Sequence, residues 1–308
     1  MDDFGKDIGL LTRSTGDDKM SVISKLFFIL FVAISALTAT IALRPVGQLP
    51  EKPLNEDGYY ALTVARNLAD GYWFSYDRES KANGFQPLFT MLCAVPHLIS
   101  GDNVEVALRL VLVLHWVVFI SSGLLAGLIA KRLSQEGSSG TIWITGVLYL
   151  CGSFSFISHF NGLETGFALF MYLASWFACA HLDLASVRHR CCLGIILGLL
   201  VLVRIDAAIF VIIFSAVQVL RNRLEGVISL KGPIVSIGFI SLLVSSPWWL
   251  YNVIEFNAIV PTSALAQQEW GFFLSRLDEV AVAVSQVVIP WIHLNRFDGP
   301  AAAFLRVA

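Results

Sequence analysis

Apolar residues in this chain gather in long blocks separated by short polar breaks. The first block, Lys25 to Leu43, has about the 20 residues that a bilayer-crossing helix needs, and Arg44-Pro45 ends it. Further spanning segments are expected at 104–130, 141–158, 165–182 and 234–250, with a weaker apolar segment at 279–293. Two more apolar runs, 191–203 and 207–220, are interrupted by Arg204-Ile205-Asp206. Residues 87–99 are apolar too, but about 13 residues broken by Pro96 read as an interfacial or re-entrant helix. The fold expected is all-α and integral to the membrane: a polytopic helical bundle.

The polar intervals complete this layout. Residues 1–24 are mixed in charge and read as a disordered cytoplasmic tail, leaving 25–308 as the transmembrane domain. Residues 44–103 form a long loop, with a short amphipathic helix from Tyr59 to Leu68 closed by Asp70-Gly71. A second polar loop is expected over 252–278. With the N-terminus inside and 87–99 not crossing, Lys131-Arg132, Arg188-Arg190, Arg221-Arg223 and Lys231 all fall on the inner side. The 44–103 loop, the 159–164 turn, Arg204-Asp206 and the 252–278 loop then share the outer side.

Composition agrees with this class. Of 308 residues, 56% are hydrophobic and 14% charged, with mean hydropathy +0.71. A soluble domain carries about 25% charged residues. A net charge of −2 offers no basic surface for nucleic acid, and that class is set aside. The five cysteines (Cys93, Cys151, Cys179, Cys191, Cys192) show no C-x-x-C spacing, and read as helix-packing residues, with palmitoylation the weaker alternative. The six histidines lack zinc-ligand spacing, and no glycine-rich phosphate loop is present. The first apolar block begins too late and runs too long for a cleavable signal. The abrupt end at Phe304–Ala308 reads as a C-terminally incomplete chain.

Four polar features stand out, each with two readings. Glu56-Asp57 is either a general-base or cation-binding carboxylate pair, or a solvated loop whose Asp caps the next helix. Glu164, in Asn161-Gly162-Leu163-Glu164-Thr165, is either a substrate contact or a helix cap after a tight turn. Arg204 and Asp206 interrupt some 30 apolar residues; at i, i+2 on a helix they would not face each other, so a simple intrahelical pair is a poor explanation. Arg204 can hold a phosphate with its bidentate fork, or anchor a helix end at the interface. Trp248 and Trp249, in Pro247–Asn252, read as an interfacial aromatic belt. The Asn257–Ser263 stretch is either a closing loop or a connector.

Taken in order, these motifs resemble polytopic membrane glycosyltransferases of the GT-C type, family 39-like or arabinofuranosyltransferase-like. The residues that carry the resemblance are Glu56-Asp57-Gly58-Tyr59-Tyr60, Asn83-Gly84-Phe85-Gln86-Pro87-Leu88, Gly162-Leu163-Glu164-Thr165, Arg204-Ile205-Asp206, and Pro247–Asn252 leading to Pro261-Thr262-Ser263. Their order, spacing and common sidedness cover most of the chain from about residue 22 to 270. The resemblance implies a GT-C-like bundle with interfacial helices in the first outer loop. It implies sugar transfer from a polyprenyl-phosphate donor to a hydroxyl on a lipid, glycan or protein acceptor, on the outer face of a bacterial plasma membrane. Asp57 would be the catalytic base with Glu56 beside it, and inversion at the anomeric carbon is expected. Arg204, Asp206, Glu164, Tyr59, Tyr60 and Gln86 would bind substrate, with Trp73 lining the approach. A divalent cation, Mg or Mn, would sit at Asp57 if one is used. Such enzymes usually have more spanning helices and often a soluble C-terminal domain, and these 308 residues depart from that pattern. Two other readings are a transporter or flippase for a lipid-linked or polar substrate, and a non-catalytic membrane subunit. The chain has no internal repeat and gathers its charges at one face, which favours the enzyme over the transporter.

Overall fold

The structure, a computed structural model, describes residues 21–45, 47, 53–134, 138–184, 186–224, 231–259 and 261. Among them the regular structure is helical, apart from one isolated antiparallel bridge, Ser75–Lys81. In chain order the helices are α1 Val22–Ala39 (continued by a 3₁₀ turn, Thr40–Leu43), α2 Glu56–Ala69, α3 Pro87–Ser100, α4 Val104–Leu133, α5 Ser139–Cys151, α6 Ser153–Phe160, α7 Thr165–His181, α8 Val187–Val203, α9 Ala207–Leu224 and α10 Lys231–Phe256. Among the described residues three segments are long and apolar enough to cross a membrane: Val22–Leu43, Val104–Leu133 and Ile234–Phe256. The chain is thus a helical membrane protein.

Most helices lie where the hydrophobic pattern puts them, but the expected span 165–182 forms the 17-residue α7, which is not among the three crossing segments. Residues 141–158 are two helices, α5 and α6, bent by 66° at Gly152. Helix α2 begins three residues before Tyr59, because the Asn55 side chain accepts the Gly58 N–H at 2.8 Å and caps it there. Helix α10 runs through Phe256, which takes residues 252–256 out of the expected polar loop. The tail 1–20, the rest of that loop from 262, and the 279–293 segment lie outside the described residues.

Packing is set by apolar side chains and by small residues. Phe89, Val111, Leu112, Phe119, Phe160 and Phe167 form the core between α3, α4, α6 and α7. Two histidines are buried within it. His115 Nδ1 and His159 Nδ1 approach the carbonyls of His159 and Ser155 at 2.5 and 2.8 Å. A carbonyl only accepts, so both rings carry the proton on Nδ1. His159 Nε2 meets Ser122 Oγ at 3.1 Å. A second core, Leu193, Leu197, Leu200 and Ile237, joins α8 to α10. Gly127 faces the α5 backbone so closely that a Cβ there would strike the Ile142 carbonyl. On α8, Gly194 and Gly198 meet α10 in the same way.

The connections sort into two ends. At one, the start of α1 meets the start of α5, with Ser24 Oγ and Ser139 Oγ 3.3 Å apart. At the other, α2, the 161–164 turn, the α8–α9 break and the C-terminal turn of α10 converge.

Candidate functional site at the polar end

Glu56 and Asp57 occupy the exposed first turn of α2, where the unpaired N–H groups of the helix favour negative charge. Asn55, not Asp57, is the cap. This turn is seated on the 161–164 turn. The Asn55 N–H donates to the Asn161 carbonyl at 3.0 Å, and a Cβ on Gly58 would stand 2.7 Å from that same oxygen. Gly162 makes the other half of the approach, with φ +81°, a backbone open chiefly to glycine. Asn161 tightens the turn by accepting the Leu163 N–H on Oδ1 at 3.0 Å.

Glu164 closes the turn at the cap position of α7, but its side chain makes no capping bond and instead lies 3.7 Å from Arg204. Burial pushes its carboxyl above the usual range; its own backbone N–H and Arg204 act against that shift. Arg204 and Asp206 do pair, with Nε 2.9 and 3.2 Å from the two carboxylate oxygens. The helical spacing that argued against this pair does not apply, because Arg204 leaves the helix at φ −150°, ψ 109°. The pair is partly exposed, so it contributes at most about 1 kcal/mol. The break is held from a third direction. The Ile205 N–H donates to Gln86 Oε1 at 2.9 Å, so Gln86 ties the start of α3 to the α8–α9 break.

The first loop is fastened to α10 as well. Asn83 Nδ2 donates to Asn252 Oδ1 at 2.6 Å, fully buried, and Lys81 pairs with Glu255 at 2.6 Å. Phe74, Phe85, Trp248 and Tyr251 form an aromatic box around this link. The belt reading of Trp248 is therefore corrected: it is 4% exposed, because the first loop brings it aromatic partners. Trp249 is half-buried and donates its indole N–H to Ser245 Oγ.

The aromatics of the first loop divide. The Tyr59 hydroxyl is buried without a partner, and burial raises its pKa. Tyr60 is exposed and stands edge-on to Tyr76 at 6.4 Å. Trp73 is 65% exposed on a backbone with φ +59°. Below them Asp77 accepts the N–H groups of Glu79 and Ser80 and the Ser75 hydroxyl, which holds its carboxyl far below the usual range.

Among the described residues no three His, Cys, Asp or Glu side chains converge, and neighbouring Glu56 and Asp57 diverge by about 100° around the helix. What the polar end does assemble is an exposed carboxylate, a cation bracketed by two carboxylates, and exposed aromatics. Sequence reasoning missed Asn55, Asn161, Asn83 and Asn252 as the residues that join these parts. Comparisons with protein-family models, with curated proteins and with solved structures found no match to this chain.

Proposed function

We propose that this chain is a GT-C-like membrane glycosyltransferase that uses a polyprenyl-phosphate sugar. The observation that supports it is the meeting of four segments, far apart in sequence, at one end of the bundle: α2 with Asp57, the turn with Glu164, the Arg204–Asp206 break with Gln86, and the end of α10. In this reading Asp57 takes the proton of an acceptor hydroxyl. The hydroxyl oxygen bonds to the anomeric carbon as the carbon–phosphate oxygen bond breaks, and the electron pair leaves on the polyprenyl phosphate. Arg204 faces that developing charge, oriented by Asp206 and Glu164. Attack opposite the leaving group inverts the anomeric centre. Helix α3, 14 residues long with Met91, Val95, Leu98 and Ile99 exposed along one side, suits an interfacial position at the donor's entry. The site would face the outside of a bacterial plasma membrane.

The buried pair His115 and His159 is the feature that would favour a transporter. Each ring gives its Nδ1–H to a backbone carbonyl, His115 Nε2 is buried without a partner, and Phe89, Phe119 and Phe167 enclose the pair, which suits a structural post better than a relay.

Sugar transfer from a panel of polyprenyl-phosphate sugars, in membranes carrying the chain, tests the proposal. Transfer by the wild type and its loss in Asp57→Asn are expected. Undiminished transfer by Asp57→Asn removes Asp57 as the base, and no transfer by a stably inserted wild type counts against the enzyme.

A further inference from the structure

Away from the polar end, an apolar groove of about 420 Å³ opens between α4, α7 and α8. Its walls include Leu124, Leu128, Phe170, Ala174, Phe177 and Ile196. On α7 the lining runs from Phe170 to His181, a length of about 16 Å at the helical rise. The groove is thus a slot parallel to the helix axes, the shape of an extended hydrocarbon chain. One of its walls, α4, is long and apolar enough to cross a membrane.

The mouth of the slot gives the occupant a charge. The lining of α4 ends at Leu128, and that of α8 begins at Cys192. One helical turn further on each, at i+4 and i−4 on the same faces, stand Arg132 and Arg188, both exposed. Neither enters an ion pair among the described residues. Around them, residues 131–134 and 181–190 carry Lys131, Arg132, Arg188 and Arg190 against a single described carboxylate, Asp183. Arg190 is turned into the α7–α8 loop, where its Nη1 donates to the Leu184 carbonyl at 3.1 Å. His181 lines the slot on α7, and the first turn of α8 has no side-chain cap from Ser186.

We propose that this groove binds an anionic phospholipid, with one acyl chain in the slot and the phosphate between Arg132 and Arg188. The hydrocarbon supplies burial and the two guanidiniums select charge. This site stands apart from the proposed reaction centre and does not depend on it.

Cys192 lines the groove and is exposed, whereas Cys151 is exposed elsewhere. The full chain, carrying Cys191→Ser so that the two are resolved, is purified in detergent and alkylated with a maleimide. Added phosphatidylglycerol is expected to slow alkylation of Cys192 about tenfold relative to Cys151, and phosphatidylcholine at the same mole fraction about twofold or less. Arg132→Gln with Arg188→Gln should bring phosphatidylglycerol down to the phosphatidylcholine level. Should that variant not fold, Ala174→Phe, which fills the slot, should abolish the lipid dependence instead. Equal protection by both lipids, protection by neither, or protection by a polyprenyl phosphate alone each overturns the proposal.

Discussion

Where α4 passes α5, Gly127 lets two helix backbones touch, and nothing polar is exchanged between side chains at that point. Where α2 meets the 161–164 turn, a glycine again permits contact, but here the Asn55 N–H reaches the Asn161 carbonyl across it. The midsection is registered by steric fit, the force left to helices that share an apolar solvent. The polar end is registered by directional hydrogen bonds between segments that have no sequence proximity. Steric fit tolerates no added volume. A hydrogen-bonded end can be loosened while the bundle below it stays assembled, so the two regions should fail in different ways.

Four experiments sharpen that contrast. The largest effect is expected for Gly127→Leu, whose side chain has only the Ile142 backbone to displace; overpacking of this kind costs about 1–3 kcal/mol or more, and no monodisperse protein should survive size-exclusion chromatography. Gly58→Ala should leave the bundle folded, with sugar transfer down about tenfold, since its Cβ pushes α2 and Asp57 off the Asn161 carbonyl. Equal loss of folding in both variants would erase the distinction. Next comes the buried amide pair. A double-mutant cycle of Asn83→Ala and Asn252→Ala, read by thermal melting, should give a coupling of about 1 kcal/mol. The smallest effect belongs to Glu164. Its folded pKa lies above the ordinary 4.5, so the folded chain holds this proton more tightly than the unfolded one. Stability from this group is therefore lost as pH rises from 4.5 through the folded value. Glu164→Gln should flatten that part of a stability-against-pH curve, and an unchanged slope would remove burial as the cause.

Much of this arrangement was legible in the chain. Block lengths located the helices, because only uninterrupted apolar runs satisfy the backbone within lipid. The basic clusters grouped the first loop, the 159–164 turn and the Arg204 break on one side, and these do meet at one end of the bundle. The kink at Gly152 was hidden because α5 and α6 read as one apolar run of about the right length. The Arg204–Asp206 pair was misjudged because the helical rule was applied where the helix stops. Trp248 was assigned to an interface because a Trp-Trp pair at a helix end carries no mark of a partner 160 or more residues upstream. A signal for the steric contacts was present in the spacings Gly123-x-x-x-Gly127 and Gly194-x-x-x-Gly198. The asparagines had none, since an Asn that joins two distant segments looks like any loop Asn.

The link from Asn83 to Asn252 spans 169 residues, and that separation is also an interval of time during synthesis. At roughly 5–20 residues per second, α10 emerges some ten to thirty seconds after the loop it fastens. Through that interval Asn83, Phe74 and Phe85 wait for Asn252 and Trp248 of α10. A nascent chain halted before residue 252 should therefore carry an open first loop, cut by protease between α2 and α3, and lengthening it past α10 should close that window. The polar end would thus close only after α10 has been made.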